Sequence, residues 1–262
     1  MNLIDSHSHL FLEEFADDLP QVIERARQAG VTHIFMPNID STTIEPLLRT
    51  CAAYPGYLFP MAGLHPTSVN DTVDRELDIV YGELRQAREK GYVAVGEIGL
   101  DLYWDQTYLT QQLKAFEQQL QWALEFNLPV VIHCREAFPY IYKVLQGYRH
   151  TPLRGIFHSF TGTAEEAASL LEFPGFLLGI NGVLTFKKSS LPEVLQSVPV
   201  ERLLVETDSP YLTPEPLRGR RNSPVNVEYT ARKIAEIKGM DYEEVAARTN
   251  SNACRFYGIV RR

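Results

Sequence analysis

Residues 129–135 read PVVIHCR, a run of branched apolar residues that ends close to a histidine. A short run of this kind predicts a β-strand that is buried on both faces, as in parallel sheets. Similar runs begin at seven other points along the chain, near Leu3, Val31, Tyr57, Val93, Arg154, Phe176 and Arg202. The sequence therefore predicts eight buried strands.

Amphipathic stretches between these runs predict helices. One covers residues 13–29 and ends at Gly30, a residue suited to the left-handed position after a helix, and another covers residues 111–126. Two pairs have the spacing of a capping box at a helix start, namely Thr163 with Glu166 and Asp241 with Glu244. Strand and helix patterns thus alternate along the chain.

This alternation predicts an α/β fold, a single (β/α)8 TIM barrel with one domain covering residues 1–262. A doubly wound sheet is the alternative, but that fold favours a glycine-rich phosphate loop after its first strand. Residues 7–10 read HSHL at that place. We therefore expect the barrel.

The composition excludes several classes of protein. Hydrophobic residues make up 45% and charged residues 22% of the 262 residues, which is typical of a globular protein and not of a disordered or fibrous one. The formal net charge of −8 argues against binding nucleic acid mainly through a basic surface. It does not exclude an enzyme that meets phosphates through metal ions.

The sequence also suggests a compartment. We find no secretory signal at the start and no run of roughly 18 apolar residues that would span a membrane. The three cysteines are too scattered for a disulfide framework or a CxxC zinc site. We expect a cytoplasmic protein with no membrane partner, and nothing in the sequence implies an obligate protein partner.

Histidines follow directly on the predicted strands, at His7, His9, His65, His133 and His158. Carboxylates occupy corresponding positions at Glu97, Glu206 and Asp208. The carboxyl ends of the strands of a barrel converge on one mouth, where such enzymes have their active sites. We therefore predict a site at that end of the barrel.

Strand alternation predicts which of these side chains share a face. Asp5, His7 and His9 are two residues apart, as are Glu206 and Asp208, so each set should point one way. Asp5 lies deeper and is expected to fix the strand end rather than to bind metal.

The mixture of imidazole and carboxylate suits Zn²⁺, Mn²⁺ or, with fewer nitrogens, Mg²⁺. His133 and His158 close neighbouring strands at equivalent heights, and Glu97 closes the strand before them. These six candidate ligands are more than the four that one tetrahedral ion needs. Two divalent ions about 3.5–4 Å apart that share a carboxylate would use them all.

The strand-end motifs occur in a fixed order between residues 5 and 224: HSH, GLHP, EIGLD, HCR, HSFTG, ETDSPYLTP and RGRRNSP. In this order they resemble the TatD-like metal-dependent deoxyribonucleases of the amidohydrolase superfamily, in the branch that keeps both histidines of HxH. Leu102 stands where the family commonly has an aromatic residue, a departure that concerns substrate fit more than metal binding.

The resemblance implies roles for the site residues. It implies that one ion is bound by His7, His9, Glu97 and Asp208, with Glu97 bridging to a second ion bound by His133 and His158. It also suggests Glu206 as a ligand for an extra Mg²⁺ at the mouth, and His65 near the scissile phosphate.

The expected chemistry is hydrolysis by a hydroxide that the two metal ions generate from water. Asp208 would orient this water and accept its proton, and His65 would donate to a phosphate oxygen or to the leaving O3′. The guanidinium of Arg135 would donate hydrogen bonds to a non-bridging phosphate oxygen.

Arg220, Arg221 and Asn222 would track the DNA strand from the loop after the last predicted strand. Alternatively, Asn222 or Ser223 caps a helix that begins at Pro224. Tyr103 and Trp104 either stack on a base or pack at the rim.

Three functions follow from this pattern. The leading one is a metal-dependent deoxyribonuclease that cleaves phosphodiester bonds at DNA ends or in single strands. The second is an amidohydrolase or esterase that uses the same site on a small molecule or an aminoacyl-tRNA, although no lysine of the typical amidase kind ends strand four. The third is a metal-binding scaffold without activity, which would not need so complete a ligand set.

Overall fold

The computed structural model of the protein describes residues 2–259. This part of the chain contains eight strands, each of which begins at or within two residues of a predicted start. Strands β1 to β8 are Leu3–Asp5, Val31–Met36, Leu58–Pro60, Val95–Asp101, Val130–Arg135, Gly155–Phe157, Phe176–Ile180 and Leu203–Val205.

The same residues contain ten α-helices. Helices α1 to α10 are Leu19–Gln28, Ile44–Ala53, Val73–Leu84, Ala87–Lys90, Leu109–Glu125, Phe138–Gln146, Ala164–Leu171, Leu191–Ser197, Val227–Lys238 and Tyr242–Tyr257. No helix in residues 2–259 combines the length and the apolar character needed to cross a membrane. The predicted helix over 111–126 is α5, shifted by one or two residues.

The predicted helix over 13–29 is two elements in the structure. A 3-10 turn covers Glu13–Phe15, and α1 begins only at Leu19, with Pro20 in its first turn. Proline favours the first turn of a helix because it has no N–H to offer. At the other end Gly30 has a φ of 85°, the left-handed conformation predicted for it.

The strands form a closed parallel barrel. Strands β1 to β3 pair in one sheet and β4 to β8 in another. At one junction Ala62 pairs with Val95, and Gly96 N–H donates to Ala62 O at 3.0 Å. At the other, Ser6 N–H donates to Val205 O at 3.1 Å, and Ser8 pairs with Ser209. The two sheets therefore continue into each other on both sides.

The barrel interior is filled by one buried residue from nearly every strand or its flank: Ile4, Phe35, Met61, Ala94, Val131, Ile156 and Leu204. Helix α10 packs Tyr257 against this cluster, and the ring stacks on Phe35 with centroids 3.7 Å apart. Asn252 of the same helix donates to Val200 O and to Leu203 O, at the start of β8. Helix α10 thus lies at the amino ends of the strands, and the carboxyl ends stay open.

The two predicted capping boxes have different outcomes. Thr163 Oγ accepts from Glu166 N–H while the Glu166 carboxylate accepts from Thr163 N–H, so the first prediction is confirmed. The second is wrong, because Asp241 precedes α10 but makes no side-chain cap hydrogen bond.

This difference gives a matched pair of variants. We expect Thr163→Ala to lower the free energy of unfolding by about 1 kcal/mol, because it leaves a helix N–H of α7 without its acceptor. Asp241→Ala removes no such bond and should change stability by less than half of that amount. Thermal and urea unfolding followed by circular dichroism measures both. Equal losses in the two variants would contradict this assignment of the caps.

Candidate metal centre

The predicted site residues gather at the carboxyl ends of the strands. Glu97 lies in β4 and His133 in β5, and His158 follows directly after β6. Ile132 pairs with Phe157 across β5 and β6, so His133 and His158 have equivalent heights, as predicted. The short strands β1 and β8 end before their motifs, so HSH and ETDS belong to loops.

Glu97 is the centre of the cluster. Its carboxylate is 2% exposed and contacts the ring nitrogens of all five predicted histidines. The nitrogen-to-oxygen distances are 3.1 Å for His7, 3.9 Å for His9, 3.5 Å for His65, 2.9 Å for His133 and 3.8 Å for His158.

Asp208 faces the same group from the β8 side. Its Oδ1 lies 3.4 Å from His9 Nε2 and 3.7 Å from Nε2 of both His7 and His158. The residue has a φ of 57°, and its N–H donates to His7 O at 2.9 Å. This left-handed turn, which is uncommon for a residue other than glycine, brings the carboxylate back over the mouth.

The electrostatics keep both carboxylates ionised. Burial raises the pKa of Glu97, but the His7, His158 and His65 rings outweigh it and hold this pKa well below its usual value. Burial is outweighed in the same way for Asp208, whose pKa is lowered by His158, His9 and His7. Two buried anions surrounded by imidazoles are an environment suited to a cation.

The donor set fits divalent metal ions. The Nε2 atoms of His7 and His9 lie 3.2 Å apart, beside Glu97 and Asp208. On the far side of its ring, His158 Nδ1 lies 2.9 Å from Glu206 Oε1, which leaves Nε2 facing the cluster. A carboxylate behind the outer nitrogen is how proteins orient metal-binding histidines. Three overlapping groups have donor atoms within 4.8 Å of one another: His7–Glu97–His158, His7–His9–Asp208 and His65–Glu97–His133.

These groups differ from the predicted pairing of His133 with His158. His133 lies in the group with His65 instead, and its Nδ1 is 2.9 Å from Glu97 Oε1 while its Nε2 is 2.9 Å from Asp101 Oδ2. Although burial lowers the pKa of His133, these two carboxylates raise it to about 9. His158 stands with His7, and their rings stack with centroids 3.3 Å apart.

Glu206 lies beneath His158 rather than exposed at the mouth, and its role as a ligand for an extra Mg²⁺ stays a prediction. The side chain is fully buried beneath His158, where Oε1 also accepts from Ser159 N–H at 2.6 Å. Gly179 makes room for it, because a Cβ at that position would lie 2.3 Å from Glu206 Oε2. Glu206 and Asp208 therefore contact His158 from opposite ends of its ring.

Alternation does not extend from Asp5 to His7, because β1 ends at Asp5. The Asp5 carboxylate accepts from Thr207 N–H at 2.9 Å and from Thr207 Oγ at 2.6 Å, away from the imidazoles. It thus ties β1 to the loop after β8, which agrees with the structural role expected for it.

Two of the predicted substrate contacts are occupied by the protein itself. Asn222 is buried and donates from Nδ2 to Thr207 O at 2.8 Å and to Tyr211 O at 2.7 Å. Arg221 pairs with Asp18 at 2.7 Å and donates to Glu14 O. Asn222 therefore helps to fold its own loop, and Arg221 ties that loop to the segment before α1; whether either side chain contacts substrate stays a prediction. A 3-10 turn does begin at Pro224, but Ser223 makes no side-chain cap bond.

The other two predicted contacts remain accessible. Arg220 is exposed on the same loop. Arg135 is also exposed, and its guanidinium lies 3.8 Å from the centroid of the Tyr103 ring.

Sequence reasoning missed several residues that position Glu97 and His133. Asn38 O accepts from Glu97 N–H at 3.2 Å. Gln112 exchanges hydrogen bonds with the backbone of Asp101, at 3.0 and 3.2 Å. These residues belong to no motif, and a buried polar residue cannot be told from an exposed one in the sequence.

Comparisons with known proteins agree on one family. The family model described as TatD related DNase matches residues 4–258. A Bacillus subtilis protein named as the uncharacterized metal-dependent hydrolase YabD is 39% identical over 98% of this chain and 99% of its own. The protein of Pantoea ananatis named as the 3'-5' ssDNA/RNA exonuclease TatD is 33% identical over 98% of this chain and 100% of its own.

A solved structure agrees with this family. The crystal structure of YJJV, a TatD homologue from Escherichia coli K12, superposes with a TM-score of 0.91. It is 27% identical in sequence, and the match covers 98% of each chain.

Gly99 provides a test of how β4 presents Glu97 and Asp101. Its φ is +139°, and a Cβ there would lie 2.0 Å from His133 O. We expect Gly99→Ala to cost more than about 4 kcal/mol of stability, because backbone would have to move. Gly56 also has a positive φ but open space around it. Gly56→Ala should cost only about 1–2 kcal/mol. Urea unfolding measures both, and similar losses would contradict the close approach of β4 and β5.

Proposed function

The chain belongs to the TatD-related DNase family and is a metal-dependent hydrolase, and from that premise we propose that it cleaves phosphodiester bonds at the ends of single-stranded DNA. One observation carries the proposal. A buried Glu97 contacts five histidines at the mouth of the barrel, with Asp208 beside them. Such a centre is suited to a substrate that brings negative charge to the reaction.

We assign the metal ligands from the three groups of donors. His7, His9 and Asp208 would hold one divalent ion, and Glu97 would bridge to a second, which His133 and His158 would hold. When bound, Mg²⁺, Mn²⁺ or Zn²⁺ lowers the pKa of water towards neutrality and neutralises phosphate oxygens.

Two side chains are placed to accept and to donate the protons of the reaction. Asp208, held ionised at the mouth, is placed to accept a proton from the attacking water. His65 Nδ1 accepts from Thr67 N–H at 3.2 Å, so its own ring proton belongs on Nε2, which faces Glu97 at 3.5 Å. His65 is thus oriented to donate to a phosphate oxygen or to the leaving O3′.

The choice of DNA rests on the relatives and on local charge. The Pantoea ananatis relative carries the name of an exonuclease of single-stranded DNA and RNA. On a chain with a net charge of −8, phosphates require local cations, which the metal ions and the exposed Arg220 would supply. RNA cleavage is an alternative outcome of the same assay.

A small amide or ester is the second candidate substrate. A cavity of about 430 Å³ opens beside His158 and is lined by Phe138, Phe157 and Phe160. Its size suits a small ligand. A panel of amides, esters and aminoacyl-tRNA would follow if DNA is not cleaved.

We also propose that the protein works in the reducing cytoplasm. Cys51, Cys134 and Cys254 are all free thiols. Burial raises the pKa of both Cys51 and Cys134 to about 12, which makes them inert.

The first test is hydrolysis of a 5′-labelled single-stranded oligonucleotide by metal-stripped protein, with Mg²⁺, Mn²⁺ and Zn²⁺ added back separately. We expect restored cleavage, and we expect Glu97→Gln to reduce it by about 10²–10³-fold, because the carboxylate shared by all five histidines is gone. Glu193→Gln, an exposed residue of α8, is the matched control. Full activity of Glu97→Gln, or a wild type that is inert with every metal, would contradict the proposal.

Salt dependence tests the loop after β8. If Arg220 contacts a phosphate, Arg220→Ala should raise KM and should lower the slope of log KM against log salt by about one. Arg221→Ala should leave that slope unchanged and lower Tm instead, because Asp18 already holds its guanidinium. The reverse pattern would assign substrate binding to Arg221.

A further inference from the structure

Two exposed aromatic rings stand beside the metal centre on the loop after β4. Tyr103 is 49% and Trp104 is 74% exposed, and their centroids are 4.7 Å apart in an edge-to-face arrangement. The Arg135 guanidinium, at the end of β5, lies 3.8 Å from the Tyr103 centroid and 5.4 Å from that of Trp104. We call Tyr103, Trp104 and Arg135 the aromatic platform.

The platform has the chemistry of a nucleic-acid surface. An indole that is three-quarters exposed leaves a large apolar face in water, which becomes favourable when a flat ligand covers it. No ion pair involves Arg135 within the described residues 2–259, so its positive charge is available to a phosphate. On an acidic protein, a cation packed on aromatic rings is complementary to the bases and backbone of one strand.

Short covalent and hydrogen-bonded links connect the platform to the metal centre. Asp101 Oδ1 accepts from Tyr103 N–H at 3.1 Å, while Oδ2 of the same carboxylate lies 2.9 Å from His133 Nε2. Leu102 N–H donates to Arg135 O at 3.0 Å. The rings are therefore fixed to the two strands that present Glu97 and His133, rather than to a separate surface loop.

We propose that the aromatic platform stacks the unpaired bases of a single strand next to the phosphate that is cleaved. This inference rests on the proposed function and assigns to it a preference for single strands. A base in a duplex has neighbours on both faces and cannot lie on the platform without unstacking, whereas an unpaired base can.

The three residues of the aromatic platform have different roles. Trp104 and Tyr103 supply the stacking faces. Arg135 is a positioning residue that holds the Tyr103 ring through a cation–π contact, and it also adds positive charge where the strand arrives. The platform reads no sequence, because every base has an aromatic face.

The protein contains its own reporter for this contact. It has two tryptophans, and the other one, Trp122, is only 6% exposed within α5. Adding unlabelled dT9 to EDTA-treated protein should therefore change the fluorescence emission of Trp104. The fluorescence anisotropy of fluorescein-labelled dT9 measures binding independently. Trp104→Phe should bind dT9 without the emission change, which identifies the responding residue.

Variants test the contribution to substrate use. We expect Trp104→Ala to weaken dT9 binding and to raise KM by about 5- to 150-fold with little change in kcat, the range known for one stacked base. Trp104→Phe should restore most of the binding. Tyr229→Ala, which removes an exposed ring from α9, is the matched control and should behave as wild type.

The outcomes separate the platform from the proposed function. Cleavage of DNA by wild type with equal KM for Trp104→Ala would overturn the platform and leave the nuclease assignment intact. Binding of dT9 that depends on Trp104, without cleavage in any metal, would support the platform and remove the nuclease assignment. Anisotropy that rises without any change in Trp104 emission, or equal affinity for dT9 and for a GC-rich duplex that stays paired at the assay temperature, would also overturn the platform.

Discussion

The buried carboxylate of Glu97 is the constraint on which the rest of this site depends. Removing an ionised carboxylate from water is costly unless it is paired, and here five imidazoles from four strand ends share the pairing. Since each histidine must reach one point, the ends of strands that are distant in sequence have to meet around it. A closed barrel satisfies this condition, because the carboxyl ends of all its strands face one mouth.

The short strands β1 and β8 follow from the same requirement. Each stops after three residues and its motif continues as a loop, and Asp5 at the end of β1 accepts from Thr207 in the loop after β8. Freed from strand alternation, His7 and Asp208 both turn towards Glu97. Strands β4 and β5 instead stay paired beyond the site, with Gly99 in close contact with His133. One half of the centre is thus held by the paired strands β4 and β5. The other half is held by buried side-chain hydrogen bonds between β1 and the loop after β8.

Under the proposed function, this arrangement would let an acidic chain bind a polyanion. Besides the metal ions that the donors are suited to bind, the exposed cations Arg135, at the end of β5, and Arg220, on the loop after β8, would supply positive charge at this end of the barrel. Asp101 links the metal centre to the aromatic platform, since its carboxylate contacts the His133 ring and also accepts from the backbone N–H of Tyr103. A change at the metal centre and a change at the loop are therefore expected to affect each other.

The sequence alone predicts the eight strands, the barrel and most of the residues at its mouth. It does so because apolar runs such as Val130–Ile132 and the polar residues that end them are local features of the chain. Which imidazole meets which carboxylate depends on tertiary structure: His133 lies with His65 and Asp101, Glu206 is buried under His158, Arg221 pairs with Asp18, and Asn222 binds the backbone of its own loop. The physical reason is that each of these contacts joins residues far apart in the chain, and a hydrogen-bonding side chain carries no local mark of whether its partner is solvent, substrate or another strand.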